Sequence, residues 1–137
     1  MLQELSIKNF AIIENLQVSF DEGMTVLTGE TGAGKSIIID AVGLLAGGRG
    51  SNDLIRYGEN KTVIQGLFSI PENAQTVSVL ESYGIEADGN HVFLQRELSR
   101  NGKNIYRVNG TIVTVATLRE VGETLIDIHG QNEHQEL

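Results

Sequence analysis

One stretch of the chain, Gly29-Glu30-Thr31-Gly32-Ala33-Gly34-Lys35-Ser36, carries residue types at a spacing suited to holding a polyphosphate. It fits G-x-x-x-x-G-K-[ST], the P-loop pattern. Glycines let the backbone curl into a nest whose N–H groups converge on one anion. A helix beginning at the end of such a loop adds the partial positive charge of its N-terminus. Lys35 supplies a full charge for the β- and γ-phosphates. The Ser36 hydroxyl can ligate Mg²⁺, an ion that keeps several waters and takes few protein ligands. A chance match in a chain of this size is on the order of one per cent, so nucleotide binding is the reading the motif supports.

A phosphate cradle does not name a reaction. Hydrolysis also needs a carboxylate at a strand end to hold Mg²⁺ through water and a group to place the attacking water. Asp127, after Thr124-Leu125-Ile126, is the best local candidate. Its apolar run is short, and Ile128 stands where a catalytic carboxylate is expected, so a plain strand-edge aspartate fits equally well. No other apolar run ends in Asp-Glu. His129 and His134 are not completed as a metal site by any Cys or carboxylate cluster, and loop polar residues are the better description.

The elements that must position the cradle follow from the hydropathy pattern. Alternation predicts strands at Leu5–Lys8 and Asn15–Phe20. Met24–Thr28 reads as a short apolar strand feeding the loop, and Lys35 to about Ala46 as a helix stopped by Gly47-Gly48. The apolar residues of that helix (Ile37, Ile38, Ile39, Ala41, Val42, Leu44, Leu45) run nearly all the way round, the pattern of a helix buried on most sides. Further on, Gly50–Asn60 reads as loop with a short helical turn, Lys61–Ile70 as a strand ended by Pro71, and Asn73–Tyr83 as a helix. His91–Leu98 and Asn104–Asn109 form a hairpin across Arg100-Asn101-Gly102-Lys103, and Asn109-Gly110 marks the next turn. A helix over Thr114–Gly122 and a short strand over Thr124–Ile128 complete the reading.

Composition narrows the function classes. The chain has 137 residues, room for one domain. Its formal net charge of -8 makes the surface as a whole a poor sleeve for nucleic acid. Cysteine is absent, which excludes a disulfide scaffold, a thiolate zinc site and a Cys nucleophile. No apolar run approaches the roughly 18 residues of a membrane span, and the N-terminus has no secretory pattern, so a cytoplasmic location without membrane contact is expected.

Beyond the P-loop, several segments carry a resemblance: Leu2-x-x-Leu5-x-Ile7-x-Asn9-Phe10, the strand at Asn15–Phe20, the run from Gly23 to Ser36, and Ile128-His129-Gly130-Gln131-Asn132-Glu133-His134-Gln135. Together they resemble the bacterial DNA repair members of the SMC-like (structural maintenance of chromosomes) ATPases, whose heads are of the ABC type. The resemblance covers the whole chain. In that family the head is split: an N-terminal lobe holds the P-loop and a Q-loop glutamine, a coiled coil follows, and a C-terminal lobe supplies the remaining catalytic motifs.

The resemblance therefore implies that residues 1–137 are the N-terminal lobe of an ABC-type head, with the coiled coil and C-terminal lobe outside this chain. It implies ATP and Mg²⁺ as cofactors. Gly29, Glu30, Thr31, Gly32, Ala33, Gly34, Lys35 and Ser36 match the cradle. Gln131 matches the Q-loop glutamine, a Mg²⁺ ligand alongside Ser36 and, with Lys35, a catalytic group; its plain alternative is a solvated loop glutamine. Arg56 sits where these heads place an arginine near the phosphates or the DNA-facing surface, its alternative being a solvated loop arginine. The implied partners are the C-terminal lobe of the same protein, a second head in an ATP-dependent dimer, and DNA through the full-length protein, in the nucleoid.

The fold class expected is α/β, a P-loop NTPase lobe with a mixed sheet: a parallel part carrying the P-loop and Q-loop strands and an antiparallel part from the N-terminal strands and the hairpin. The function expected is ATP binding and head engagement in DNA double-strand break repair and recombination, with the isolated lobe binding ATP but not hydrolysing it. The alternative is a stand-alone P-loop small-molecule kinase, for which Arg96, Arg100 and Arg107 would have to serve as a lid.

Overall fold

The computed structural model describes residues 1–20, 32–72, 74–87 and 89–136, with the backbone alone for 32–35 and 126–136. The strands are β1 (Leu2–Phe10), β2 (Ile13–Ser19), β3 (Lys61–Ser69), β4 (His91–Ser99), β5 (Asn104–Val108) and β6 (Thr111–Val113). The helices are α1 (Gly32–Leu45), α2 (Gln75–Ser82) and α3 (Val115–Glu136), with a 3-10 turn at Asn52–Leu54.

The six strands form one sheet in the order β2-β1-β3-β4-β5-β6. Strict alternation sets the faces of its centre. In β3, Thr62, Ile64, Gly66 and Phe68 are buried, and in β4, Val92, Leu94, Arg96 and Leu98 are. These residues turn toward the helices, while their neighbours on the other face are half-buried. The core joins that face to Ile38, Ala41, Leu44 and Leu45 of α1, Leu80 of α2, and Leu118, Val121 and Leu125 of α3. Gly66 makes a close seat for α1, since a Cβ there would lie 2.7 Å from Leu45 Cδ1. The hairpin turns follow their glycines. Asn109 (φ 50) and Gly110 (φ 85) give the two left-handed residues a two-residue type I′ turn requires between β5 and β6.

Three expectations need correction. Every strand pairing among the described residues is antiparallel, so the sheet is not mixed there. The predicted P-loop strand, Met24–Thr28, lies outside the described residues. The predicted strand at Thr124–Ile128 is instead helix, because α3 continues through it. Leu118, Val121 and Leu125 recur at i, i+3 and i+7 and are buried, a helical period that the short apolar run conceals. The helix starts at a polar cap, where Thr114 Oγ1 accepts the Thr117 N–H at 3.1 Å.

The third correction concerns α1. Its sheet-facing side is buried as the pattern predicts, but Ile39 is 64% exposed. The sheet covers one side of the helix and leaves that residue uncovered.

Candidate nucleotide-binding site

The phosphate motif straddles the start of α1. Gly29, Glu30 and Thr31 lie outside the described residues. Gly32, Ala33, Gly34 and Lys35 form the first turn of the helix, their side chains undescribed, and Ser36 follows, exposed. A helix start leaves its first N–H groups without intrahelical acceptors. The first turn of α1 holds no acidic residue, so no carboxylate of that turn competes for those donors. The donor set fits a bound phosphate: free backbone N–H groups, an ammonium and a hydroxyl within five successive residues.

The other end of α1 is anchored with care. Gly47, at φ 100, ends the helix in the left-handed conformation, and Gly48 N donates to Gly43 O at 2.9 Å. Arg96, only 4% exposed on β4, reaches up from the sheet. Its Nη1 donates to Leu44 O at 2.7 Å and to Gly48 O at 2.5 Å. Its guanidinium carbon lies 5.1 Å from the centroid of the Tyr106 ring. Burial pushes the Arg96 pKa below the usual arginine value. The carbonyl acceptors and the aromatic face hold the cation against that cost. From α3, Arg119 Nε donates to Gly47 O at 3.3 Å. Two cations thus meet the negative end of the helix whose positive end faces the motif.

Arg56 lies in the loop between the 3-10 turn and β3. An isolated bridge joins Ile55 to Phe10, and Arg56 N donates to Asn9 O at 2.9 Å, so the loop hangs on the end of β1. Asn9 (φ 55) and Ala11 (φ 54) take the left-handed conformation there, which costs a non-glycine residue about 1–2 kcal/mol. The Arg56 side chain is half-buried and pairs with none of the described residues. Gln131 falls within α3 rather than in a loop after a strand, and its side chain is outside the described residues. Asp127, His129 and His134 also lie on that stretch. Among the described residues no cluster of His, Cys, Asp or Glu could hold a metal ion, and no helix is long and apolar enough to cross a membrane.

The three arginines a kinase lid would need are already engaged. Arg96 caps α1. Arg107 pairs with Glu97 at 3.2 Å, within a cluster that Lys61 joins at 3.4 Å. Arg100 donates to backbone carbonyls of the Arg56 loop. The roles of Arg96 and Arg100 as backbone clamps are invisible in the sequence. Both act through carbonyls remote along the chain, which leave no residue-type signature.

The chain is 58% identical to the DNA repair protein RecN of Halalkalibacterium halodurans over all 137 residues, which make up 24% of that protein. It is 56% identical to RecN of Bacillus subtilis over 135 residues, 98% of this chain and 23% of that protein. The chain thus spans about a quarter of the length of these relatives. Among solved structures, one described by the ATP-driven dimerization and DNA-stimulated activation of SMC ATPases superposes with a TM-score of 0.68 at 21% identity, covering 91% of this chain and 79% of that one. The fold is that of the SMC head domains, and the kinase alternative finds no support. The AAA domain family matches residues 4–136, and the chain belongs to that family.

Proposed function

We propose that this segment is the N-terminal, nucleotide-binding lobe of an SMC-like ATPase that acts in DNA double-strand break repair and recombination. The observation that carries the reading is a 14-residue helix that opens inside the phosphate motif with no acid in its first turn. It sits on a sheet of the SMC-head type, in a chain 58% identical to a DNA repair protein.

In this reading Gly29 to Gly34 wrap the polyphosphate in backbone N–H groups, and Lys35 adds the one full positive charge of the cradle. Ser36 and Gln131 hold Mg²⁺. When bound, that ion would offset the negative charge of the phosphates. Arg56 approaches the same phosphates. The cradle supplies ground-state contacts but no carboxylate to orient water, so the lobe binds ATP and turns it over negligibly. The C-terminal lobe of the same protein completes the site, and two heads engage around ATP. Exclusion of water on engagement strengthens every electrostatic contact inside. The all-round apolar pattern of α1, with Ile39 left exposed, supplies a surface for the C-terminal lobe. DNA is met through the full-length protein in the nucleoid, since a net charge of -8 gives this lobe little affinity of its own.

The test is phosphate release from the segment alone and from the segment with the missing portion of the protein restored, beside calorimetry of Mg-ATP binding. Binding without turnover by the segment, and turnover rising with protein concentration once the remainder is supplied, is the expected result. Equal ATP affinity for the wild type and Lys35→Ala would overturn the assignment of the cradle.

A further inference from the structure

The turn that carries Arg56 is held from two sides. From β1, Asn9 O accepts the Arg56 N–H, and Asn9 Nδ2 donates to Glu59 Oε1 at 3.4 Å. The turn closes on itself through Glu59 N to Arg56 O at 3.0 Å, with Gly58 at φ 86 in its third position. That conformation suits glycine and is the one a type II turn demands.

The other hold comes from the hairpin between β4 and β5. Arg100 N donates to Asn60 O at 2.9 Å. Its Nε donates to Glu59 O at 2.7 Å, and its Nη2 reaches Ile55 O and Arg56 O, each at 3.3 Å. One planar guanidinium therefore spans both ends of the turn. Water could satisfy each of these carbonyls separately at a solvent-exposed loop, but it could not fix the spacing between them. A rigid fork of donors does fix it. Within this fastened frame the Arg56 side chain is half-buried, and Tyr57 at the tip is 96% exposed. A fixed backbone under an arginine with no partner among the described residues presents that arginine to something outside the lobe's own described surface.

We propose that Arg100 is a positioning residue, fixing the Ile55–Asn60 turn so that Arg56 meets the nucleotide phosphates in the engaged head. The inference rests on the reading of Arg56 given above. Pre-setting the turn removes the cost of ordering it when the nucleotide arrives, and a small misplacement of a charge-delivering group is expensive in rate.

The experiment uses the full-length protein with Arg56→Ala, Arg100→Met, Arg100→Lys and the Arg56→Ala/Arg100→Met double variant. Mg-ATP affinity, kcat, KM and Tm are measured for each. Arg56→Ala should lower kcat/KM by about tenfold or more. Arg100→Met should reproduce most of that loss with little change in Tm, and the double variant should be no worse than Arg56→Ala alone. Arg100→Lys, which keeps the charge but not the fork, should stay impaired.

Independent effects that multiply in the double variant overturn the inference, as does a fall in Tm with unchanged kcat/KM. A silent Arg100→Met beside a damaging Arg56→Ala also defeats it while leaving the reading of Arg56 intact. A silent Arg56→Ala, or a loss confined to DNA binding, defeats the reading of Arg56 and the inference with it. Arg100→Gln serves as a second truncation should Arg100→Met fold poorly.

Discussion

Gly122 of α3 and Ala46 at the end of α1 touch backbone to backbone: a Cβ on Gly122 would fall 2.5 Å from Ala46 Cα and 2.6 Å from Ala46 O. One turn earlier, Arg119 meets Gly47 in the same way, with a Cβ on Gly47 lying 2.6 Å from Arg119 Cα. The helix that leads toward Gln131 is thereby seated directly on the end of the helix that begins at the phosphate motif.

The first prediction uses that contact. Neither backbone in it can yield as a side chain would, so Gly122→Ala should destabilise the lobe by about 1–3 kcal/mol through overpacking. Gly43, within α1, has nothing within 4 Å of an added Cβ. Gly43→Ala should therefore stabilise by about 0.5–1 kcal/mol by improving the helix interior. Urea denaturation of both variants checks the pair. Equal effects would show that helix propensity, not the close approach, governs Gly122.

The second concerns the buried hydroxyl pair between α2 and α3. Thr124 Oγ1 donates to Val121 O at 2.6 Å, which spends its only proton, so Thr76 is the donor in the 2.6 Å contact between the two hydroxyls. Thr124→Val should then cost about 1–3 kcal/mol, because it leaves the Thr76 donor buried without an acceptor. Thr76→Val should cost less, since Thr124 keeps its bond to Val121. The double valine variant should be more stable than Thr124→Val alone. A larger loss from Thr76→Val in equilibrium unfolding would reverse the assigned direction.

Much of this fold was legible because its determinants are local. Alternation in β3 and β4, the Asn109-Gly110 turn and the Gly47 stop each lie within a few residues of the element they specify. The misreading at Thr124–Ile128 has a physical cause too. A five-residue apolar run has no period of its own, and only contacts of Val121 and Leu125 with the core decide for helix. The short strand β6 was missed because three residues, Thr111–Val113, carry too little pattern to separate from a turn. Of the candidate site, the cradle was legible as a motif. The clamps formed by Arg96 and Arg100 were not, since a guanidinium bonded to distant carbonyls resembles any other arginine in a strand or hairpin.

The third prediction is a pH dependence. The Tyr83 hydroxyl donates to Glu120 Oε1, linking the end of α2 to α3. That hydrogen bond, followed by burial and by the charge of Glu120, raises the Tyr83 pKa above its ordinary value. Because the folded value exceeds the unfolded one, the contribution is complete below the unfolded pKa of about 10. It is lost as pH rises through the raised folded value. Wild type should therefore exceed Tyr83→Phe in stability at pH 8, and the gap should close at strongly alkaline pH. A gap that stays constant across the range would mean that the ring's packing, and not its proton, holds the two helices together.

The fourth prediction follows from the exposed isoleucine of α1 and tests the proposed seat of the C-terminal lobe. Ile38, Ala41, Leu44 and Leu45 already occupy the sheet side of the helix, so Ile39, 64% exposed, adds little to the lobe's own core. A surface substitution of this kind shifts stability by about 0.5 kcal/mol or less, and Ile39→Asp should leave the melting of the segment nearly unchanged. The outcome should differ once the remainder of the protein is present. A carboxylate placed in an apolar contact must be desolvated without a partner, at a cost of several kcal/mol. The full-length Ile39→Asp variant should accordingly lose Tm and ATP turnover together, while Ile39→Leu, which keeps the apolar surface, should lose neither. Thermal denaturation and phosphate release measured on the segment and on the full-length protein separate the cases. Full-length Ile39→Asp that matches the wild type in both would show that the C-terminal lobe docks elsewhere. A segment that unfolds on the same substitution would place Ile39 in the lobe's own core instead.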